Sequence, residues 1–502
     1  MEMNAGGMLA NRAYLSPEME AFSGTGYRFT FKEANERANR FGALLKQHGI
    51  TAGDRIAILC KNNEHAVTAL FGAAKNGVIA LMLNWRLQIP ELAYILNDSG
   101  ASFLLFDAEF ASVAEALRMQ TAVKTYLSVE PGNGADDFEG ALADASPDEP
   151  VYAGSGDDPA VLMYTSGTTG RPKGVILTHD NLFWASIGLT HTIDWSRGYR
   201  FLSVAPLFHI GGLAPVFGNI HSACTTHFMP TFNPMNIWDV IVHEKINFMM
   251  TVPAMLQFML LAPDIARKDL SMLRHIVCGG AAVPRHLIAA YDRLGIKVEQ
   301  VYGITEYSGA VTFWLPEMGM DKSDSSGKSV FHGSIRIMRP DGDGESMTGE
   351  VGEICCFGPQ VFKGYWNNPE ATAAALGKGY YRSGDMGRID ADGFLYVVDR
   401  LKDMIISGGE NIYPAELERV ILDAPGVAEA AVVGKPDAKW GEIPVAFIVR
   451  KKDSAVMEEE IITHCRKNLA AYKCVKEVRF VPEIPQNSLG KVMKNKLRSH
   501  VA

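Results

Sequence analysis

The residues that decide the fold lie between positions 164 and 175 and read Tyr164-Thr-Ser-Gly-Thr-Thr-Gly-Arg-Pro-Lys-Gly-Val175. They directly follow an apolar segment, residues 160–164, whose composition predicts a β-strand. Gly167 and Gly170 allow positive φ angles, so successive backbone N–H groups can converge on one anion. Hydroxyl side chains within the stretch add donors, and Lys173 adds positive charge. The stretch therefore predicts a strand followed by a loop that binds a polyphosphate.

Two other nucleotide-binding loops do not fit this stretch. A Walker A loop needs a glycine where Pro172 stands, and a serine or threonine where Gly174 follows Lys173. The chain also has no Gly-x-Gly-x-x-Gly motif, which a dinucleotide-binding fold would place after a strand. The predicted polyphosphate loop therefore belongs to a different class of nucleotide-binding protein.

Strand and helix patterns alternate on both sides of the loop. The apolar runs Arg55 to Cys60 and Val78 to Leu83 predict two strands. Between them, Asn62 or Asn63 can cap a helix, and Gly77 can end it. Such alternation predicts parallel sheets that are covered by helices.

Changes in composition divide the chain into domains. Residues 130–158 are rich in Gly, Asp, Pro and Ala and predict a connector between two α/β blocks. From about residue 333 to residue 398, short strands with Gly and Asp turns predict a small β-rich subdomain. We expect an α/β fold: a large N-terminal domain of helix-covered β-sheets, residues 1–401, which includes this subdomain, and a small α+β C-terminal domain, residues 402–502.

Composition also restricts the class of protein. With 502 residues, of which 47% are hydrophobic and 21% charged, the chain predicts a folded protein of roughly three domain-sized units. Its net charge of −9 argues against nucleic acid as a main partner. Seven cysteines without Cys-x-x-Cys spacing predict reduced thiols and a cytoplasmic location. We expect no membrane span; a peripheral membrane contact, and the choice between monomer and homodimer, stay open.

Several motifs resemble, in the same order, those of the adenylate-forming superfamily of acyl-CoA synthetases, firefly luciferases and peptide-synthetase adenylation domains. The quoted stretch is similar to the signature of that family. The further motifs are Ala205–Gly212, Gly279–Ala281, Tyr302–Glu306, Tyr381–Asp385, Asp399–Asp403, Ser407–Glu416 and Pro485–Lys491. The resemblance covers the chain from about residue 10 to its end. The sequence departs from the family at Gln486 and Asn487, where a basic residue and Ser or Thr are usual, and at residues 324–329.

The resemblance implies an ATP site. In the family, the tyrosine at Tyr302 stacks on adenine, Thr305 meets the α-phosphate, and Glu306 serves the metal ion. A carboxylate beside a phosphate site is costly unless a cation lies between them, which by itself argues for Mg²⁺ at Glu306. Asp385 is expected to accept hydrogen bonds from both ribose hydroxyls. The implied ATP-binding residues are Thr165, Ser166, Gly167, Thr168, Thr169, Gly170, Lys173, Gly280, Ala281, Tyr302, Gly303, Asp385 and Arg400.

The resemblance also implies two half-reactions. Lys491 is expected to bridge the attacking carboxylate and the α-phosphate, because a positioned cation lowers the repulsion between two anions. The C-terminal domain is expected to be mobile and to rotate about Lys402, so that coenzyme A can reach the acyl-adenylate. Gly408 and Gly409 are expected beside the pantetheine tunnel, with Trp440 next to the pantetheine arm. The implied catalytic residues are Lys491, Thr305, Glu306 and His209.

The sequence thus predicts an ATP- and Mg²⁺-dependent acid–CoA ligase. A carboxylic acid and ATP give acyl-AMP and pyrophosphate, and coenzyme A then gives acyl-CoA and AMP. The family resemblance places the acyl pocket at Trp184, His209, Gly212, Gly303 and Ser308. Its apolar lining and glycines favour a medium- or long-chain fatty acid or an aryl acid. Two alternatives stay open: an enzyme that loads a carrier protein, and an inactive sensor of nucleotide or acyl groups.

Overall fold

The computed structural model describes residues 3–130, 137–165, 172–263, 265–339, 344–377, 379–407, 410–437, 440–469, 473–486 and 492–501. The chain forms two compact units. Unit 1 comprises Met1–Ile335 and Cys356–Arg382, and unit 2 comprises Arg336–Cys355 and Ser383–Ala502. The domain boundary at residues 401 and 402 stays a prediction. The predicted mixed α/β fold with several sheets is confirmed.

The helices and strands of the described residues are numbered in chain order. The helices are α1 (Ala5–Leu15), α2 (Phe31–Gln47), α3 (Glu64–Lys75), α4 (Ile89–Ser99), α5 (Ala111–Arg118), α6 (Phe138–Ala143), α7 (His179–Thr192), α8 (Ile210–Ser222), α9 (Ile237–His243), α10 (Pro253–Met259), α11 (Arg285–Asp292), α12 (Pro369–Ala375), α13 (Pro414–Leu422), α14 (Glu458–Asn468) and α15 (Lys494–Arg498). The strands are β1 (Glu20–Gly24), β2 (Tyr27–Thr30), β3 (Arg55–Leu59), β4 (Ile79–Met82), β5 (Phe103–Phe106), β6 (Thr125–Ser128), β7 (Pro159–Thr165), β8 (Lys173–Thr178), β9 (Arg200–Ser203), β10 (Thr225–Phe228), β11 (Phe248–Thr251), β12 (His275–Gly279), β13 (Lys297–Ile304), β14 (Gly309–Trp314), β15 (Lys328–Ser329), β16 (Ser334–Met338), β17 (Gly352–Phe357), β18 (Gly364–Tyr365), β19 (Leu376–Gly377), β20 (Tyr380–Ile389), β21 (Leu395–Arg400), β22 (Ile405–Ser407), β23 (Glu410–Ile412), β24 (Val427–Asp437), β25 (Gly441–Arg450) and β26 (Glu477–Phe480).

Unit 1 contains a seven-stranded sheet with the order β18-β8-β7-β4-β3-β5-β6. The strands from β7 to β6 in this order are parallel, whereas β8 and β18 are antiparallel to their neighbours. Strands β4 and β5 are buried along their whole length, which explains why they read as continuous apolar runs. The end of β7 leads into the predicted polyphosphate loop.

Unit 1 also contains a nine-stranded sheet with the order β15-β14-β13-β12-β11-β9-β10-β1-β2. Its six central strands, β13 to β1, are parallel, and antiparallel strands form both edges. Ligands of open parallel sheets bind outside the carboxyl ends of the strands. In this sheet the carboxyl ends of β12 and β13 carry two of the predicted motifs.

Unit 2 contains the sheet β23-β22-β25-β24, with β26 paired to β25. One face of this sheet belongs to a core that includes residues from α13 and α14, such as Leu417 and Ile461. The other face packs with Leu497 from α15 and with Val501. Because apolar side chains cover both faces, the C-terminal part of the chain has a core of its own. The strands β16, β17, β20 and β21 lie in the region for which the sequence predicts a β-rich subdomain.

Candidate active site

The predicted polyphosphate loop is closed by paired strands. β7 and β8 are antiparallel neighbours, and Thr165 lies opposite Lys173 in their register. Five predicted ATP-binding residues, Ser166, Gly167, Thr168, Thr169 and Gly170, lie outside the described residues. The two ends of the loop are therefore held together by the β7–β8 ladder. The ammonium nitrogen of Lys173 lies 5.1 Å from the centre of the Tyr365 ring.

The predicted adenine contacts lie at the ends of two neighbouring parallel strands. Gly279 pairs with Val301, so Gly280 and Tyr302 follow one residue later on β12 and β13. Gly280 has a φ of +80°, which favours glycine, and it is exposed together with Ala281 and Gly303. Gly279 is needed for the close approach of the strands: a Cβ atom there would lie 2.6 Å from the Val301 carbonyl oxygen. The register thus brings Gly280, Ala281 and Tyr302 to one edge of the sheet.

Thr305 and Glu306 follow directly, in a 3₁₀ turn that spans Thr305–Tyr307. Glu306 is only 8% exposed, and its Oε1 accepts a hydrogen bond of 2.9 Å from the Tyr365 hydroxyl. An ionised carboxylate offers oxygen atoms, the ligands that Mg²⁺ prefers, and Mg²⁺ commonly binds to one or two carboxylates together with substrate phosphates. Glu306 therefore fits the metal-binding role that the sequence predicts.

A different group has the spacing for a metal ion among the described residues, formed by Glu64, His65 and Glu139. Arg37 already donates to both carboxylates, at 2.7 Å to Glu64 and 2.5 Å to Glu139. The guanidinium supplies the positive charge that a cation would bring. We interpret this group as an ion-pair network.

His209 lies at the N-terminal boundary of α8, beside an aromatic and cationic cluster that sequence reasoning missed. Its ring centre is 4.4 Å from that of Phe208, and Arg86 stacks at 4.7 Å on Trp85. Burial, and secondly the charge of Arg86, lower the pKa of His209 to about 4. Its buried Nε2 has no hydrogen-bond partner within the described part of the chain. His209 is therefore a neutral ring at physiological pH.

The other predicted acyl-pocket residues differ in their surroundings. Trp184 is half-buried on α7 and meets His332 edge to face, with 5.2 Å between ring centres. Ser308 is fully buried and donates to the Gln360 carbonyl oxygen at 2.9 Å. A Cβ atom on Gly212 would lie 2.2 Å from the Pro206 carbonyl oxygen, so close backbone packing requires this glycine. The acyl-pocket role of these residues stays a prediction.

Two predicted nucleotide residues are cross-strand neighbours in unit 2. Asp385 on β20 lies opposite Arg400 on β21. Asp385 is 5% exposed, and its backbone N–H donates to the Ser383 hydroxyl at 3.0 Å. Gly384 has a φ of +68°, which allows the chain to turn before the aspartate. That both residues reach the same nucleotide stays a prediction.

The predicted hinge, Lys402, lies in a 3₁₀ turn that spans Leu401–Asp403, between β21 and β22. On one side of it, Asp399 accepts a hydrogen bond of 2.7 Å from the Ala415 backbone N–H. On the other side, Asp403 forms an ion pair of 2.6 Å with Arg498. A short turn between two strands is a suitable place for a hinge, because a few backbone torsions can absorb a rotation there.

The predicted coenzyme A residues are described only in part. Gly408 and Gly409 lie outside the described residues, directly after Ser407 at the end of β22. Ser407 lies opposite Gly441 in the sheet, and Trp440 is the residue directly before Gly441. The Trp440 residue is 46% exposed, and its backbone N–H donates to Asp437 at 2.9 Å. The contact of Trp440 with pantetheine stays a prediction.

Lys491, the predicted catalytic lysine, also lies outside the described residues, because 487–491 is one of the gaps. The residues on either side of this gap are paired, because Gln486 and Val492 form an antiparallel bridge. The Met493 backbone N–H donates to the Pro485 carbonyl oxygen at 2.8 Å, which strengthens this closure. The two residues that flank the predicted catalytic segment are therefore held next to each other.

Comparisons with known proteins agree with this geometry. Residues 9–366 match the family model described as AMP-binding enzyme, and residues 416–491 match that of the AMP-binding enzyme C-terminal domain. Because the first match spans more than half of the chain, the protein belongs to the AMP-binding enzyme family. The resemblance that the motifs indicate is thereby confirmed.

Its relatives are CoA ligases. The chain is 41% identical over 497 residues to the long-chain-fatty-acid–CoA ligase FadD13 of Mycobacterium tuberculosis, a match that covers 99% of this chain and 98% of that protein. It resembles o-succinylbenzoate CoA synthetase (MenE) from Bacillus subtilis in complex with its acyl-adenylate intermediate, with a TM-score of 0.86, 33% identity and coverage of 99% and 98%. It also resembles ATP-bound MatB from Rhodopseudomonas palustris, with a TM-score of 0.91, 30% identity and coverage of 100% and 99%. None of the described helices is long and apolar enough to cross a membrane.

Proposed function

We propose that the protein is an ATP-dependent acid–CoA ligase that forms an acyl-adenylate and then an acyl-CoA. ATP and coenzyme A are substrates of its enzyme family. One observation carries the proposal: in a chain similar to CoA ligases over nearly its whole length, Gly280, Tyr302 and Glu306 lie at or just beyond the carboxyl ends of β12 and β13. That is where an open parallel sheet binds its ligand.

In the first half-reaction, Tyr302 supports adenine, and Thr305 and Lys173 contact the phosphates. Glu306 would hold Mg²⁺, which when bound would supply positive charge at the phosphate oxygens. Lys491 stabilises the charge that develops as the carboxylate attacks the α-phosphate, and pyrophosphate leaves. The bridge between Gln486 and Val492 supports this role, since a lysine that must meet two anions benefits from fixed residues on either side of its segment.

In the second half-reaction, unit 2 residues bring coenzyme A to the acyl-adenylate. Rotation about Lys402 removes Lys491 and exposes a tunnel past Gly408, Gly409 and Trp440. The thiol of coenzyme A then attacks the acyl carbonyl carbon, AMP leaves, and the thioester forms. The 3₁₀ turn at Leu401–Asp403 and the exposed Trp440 support this order of events.

The acid is a medium- or long-chain fatty acid or an aryl acid. FadD13 is named for long-chain fatty acids, and the Bacillus subtilis synthetase for o-succinylbenzoate, an aryl acid. His209 beside Phe208 is neutral because burial disfavours the charged imidazolium. An uncharged ring next to an aromatic ring supports an apolar acyl group as the substrate.

Two further properties belong to the same proposal. The seven cysteines are free and buried, which supports the reducing environment of the cytoplasm. The enzyme acts on small molecules, with no nucleic acid partner, as a monomer or a homodimer.

The test is release of AMP and pyrophosphate with a panel of acids, from acetate through long-chain fatty acids to benzoates and cinnamates, with and without coenzyme A. We expect one class of acid to give AMP in a reaction that depends on coenzyme A. Pyrophosphate release that coenzyme A does not accelerate would instead indicate a carrier protein as acceptor. No AMP with any acid would contradict the proposal and favour a sensor.

A further inference from the structure

The segment from Phe362 to Tyr365 contacts Glu306 at two points. The Phe362 backbone N–H donates to the Glu306 carbonyl oxygen at 2.9 Å, and the Tyr365 hydroxyl donates to Oε1 of its carboxylate at 2.9 Å. Hydrogen bonds to a charged, buried acceptor are stronger than those between neutral groups. The segment thus fixes both the backbone and the carboxylate of the proposed metal ligand.

The same tyrosine lies beside Lys173. β18 is antiparallel to β8, with Tyr365 opposite Val175. Lys173 stands two residues from Val175 on the same face of β8, which makes it the diagonal neighbour that a long side chain can reach. Its ammonium nitrogen is 5.1 Å from the centre of the Tyr365 ring, within the range of a cation–π contact.

Other contacts hold the ring in place. Phe362 meets it edge to face, with 4.9 Å between ring centres, and the Tyr365 backbone N–H donates to the Thr372 hydroxyl at 2.9 Å. Gly364 permits this packing: its φ is +146°, and a Cβ atom there would lie 2.7 Å from Cγ2 of Thr372. A side chain restrained from several sides can orient its neighbours.

We propose that Tyr365 is a positioning residue for adenylation, an inference that rests on the proposed function. Its hydroxyl orients Glu306 towards the metal ion, and its ring holds Lys173 for the phosphates. The ring of Tyr365 contacts Lys173, and its hydroxyl donates to Glu306. In this arrangement Lys173 is positioned for the phosphates of ATP, and Glu306 is positioned for the metal ion.

The test removes only the hydroxyl, with Tyr365→Phe. The measurement is binding of Mn²⁺ to the full chain in the presence of a non-hydrolysable ATP analogue, followed by electron paramagnetic resonance. Loss of a partner that orients a metal ligand typically weakens metal binding by about 10- to 100-fold, and we expect a change of this size. The kcat for pyrophosphate release should fall, while the KM for the acid stays unchanged.

Tyr291→Phe is the matched control. The hydroxyl of Tyr291 is also buried and donates to a backbone carbonyl, that of Leu256, at 2.8 Å, away from the proposed site. This variant should bind Mn²⁺ like the wild type. Thermal unfolding of both variants without ligand shows whether weaker Mn²⁺ binding reflects a loss of positioning or a loss of folding.

A double-mutant cycle with Glu306→Gln decides whether Tyr365 acts through the carboxylate. In the Glu306→Gln background, Tyr365→Phe should add little further loss, because the group that it orients is already changed. Equal losses in both backgrounds, or wild-type Mn²⁺ affinity in Tyr365→Phe, would overturn the role. So would a wild-type protein that binds no Mn²⁺ with the analogue. A protein that binds Mn²⁺ but forms no AMP with any acid contradicts the proposed function and leaves the result for Tyr365 valid.

Discussion

In the proposed mechanism, Lys491 is the residue on which the separation of the two half-reactions depends. Its positive charge matters only while the carboxylate approaches the α-phosphate, so Lys491→Ala should lower pyrophosphate release by about 100-fold or more. Conversion of supplied acyl-AMP to acyl-CoA should stay largely intact, because that step involves no second anion at the α-phosphate. Rapid-quench assays of each half-reaction provide the measurement. Lys496→Ala, which changes an exposed lysine of the same tail, is the control. Equal loss of both steps in Lys491→Ala would contradict the assignment.

Buried histidines make stability depend on pH. His179 is fully buried, its Nδ1 accepts the Ala5 backbone N–H at 3.0 Å, and burial lowers its pKa from 6.5 to about 4. Between these two values the unfolded chain binds a proton that the folded chain does not, so stability is complete above pH 6.5 and is lost as the pH falls towards 4. The loss is on the order of 3 kcal/mol for this one group. His209, with a pKa of about 4, should act in the same direction.

Urea unfolding at a series of pH values between 4 and 7 measures this effect. The free energy of unfolding should rise with pH over this range, and the rise should be smaller in His179→Gln, which has no group that titrates there. An unchanged slope in the variant would show that His179 is not responsible.

Among the residues of the site, the sequence predicts identities better than contacts. Glu306 and Lys173 are recognisable because each stands in a motif with a chemical reason. Tyr365 is not, because its contact with Glu306 joins positions 59 residues apart, and no local pattern encodes that distance. The spacing of Glu306 and Lys173 along the chain carries no information about Tyr365, which packs beside both of them.

At the scale of elements, the close approach of β12 and β13 places the residues of the proposed adenine site side by side. A Cβ atom on Gly279 would lie 2.4 Å from Cγ1 of Val301 and 2.6 Å from its carbonyl oxygen, so Gly279→Ala should force the strands apart. We expect a higher KM for ATP and a loss of stability of about 1–3 kcal/mol. Gly295→Ala is the control: its φ is +73° with no atom within 4 Å of the added Cβ, so it tests backbone strain without the clash. A KM for ATP that stays at the wild-type value in Gly279→Ala would show that the strands can adjust.

Local elements follow the sequence closely. α3 begins where Asn63 accepts the Ala66 backbone N–H, and the chain leaves it through Gly77, whose φ is +66°. The cap and the stop were both predictable, because each is a property of residues next to the helix end. The order of the strands in the sheets was not predictable from the sequence. β1 pairs with β10, with Phe22 opposite Thr226, and an alternation of strands and helices does not say which distant strands become neighbours.

At the scale of the whole molecule, two separate cores predict two steps of unfolding. Cys60, Cys224 and Cys278 are buried in unit 1, and Cys465 and Cys474 are buried in unit 2. Burial raises the pKa of Cys224 and of Cys278 to about 12, and that of Cys465 to about 11, so few thiolates exist in the native protein. Thiol reagents should therefore react only after local or global opening.

Alkylation at increasing urea concentrations, with each cysteine quantified by mass spectrometry, measures this opening. Cys465 and Cys474 should become reactive together, because both belong to the core that α13 and α14 share. Cys60, Cys224 and Cys278 should share a different midpoint, because the contacts that bury them are made within unit 1. Reaction of all five at one midpoint would show that the two units unfold as one cooperative structure. The two-midpoint result would instead mean that the core that α13 and α14 share unfolds independently of unit 1.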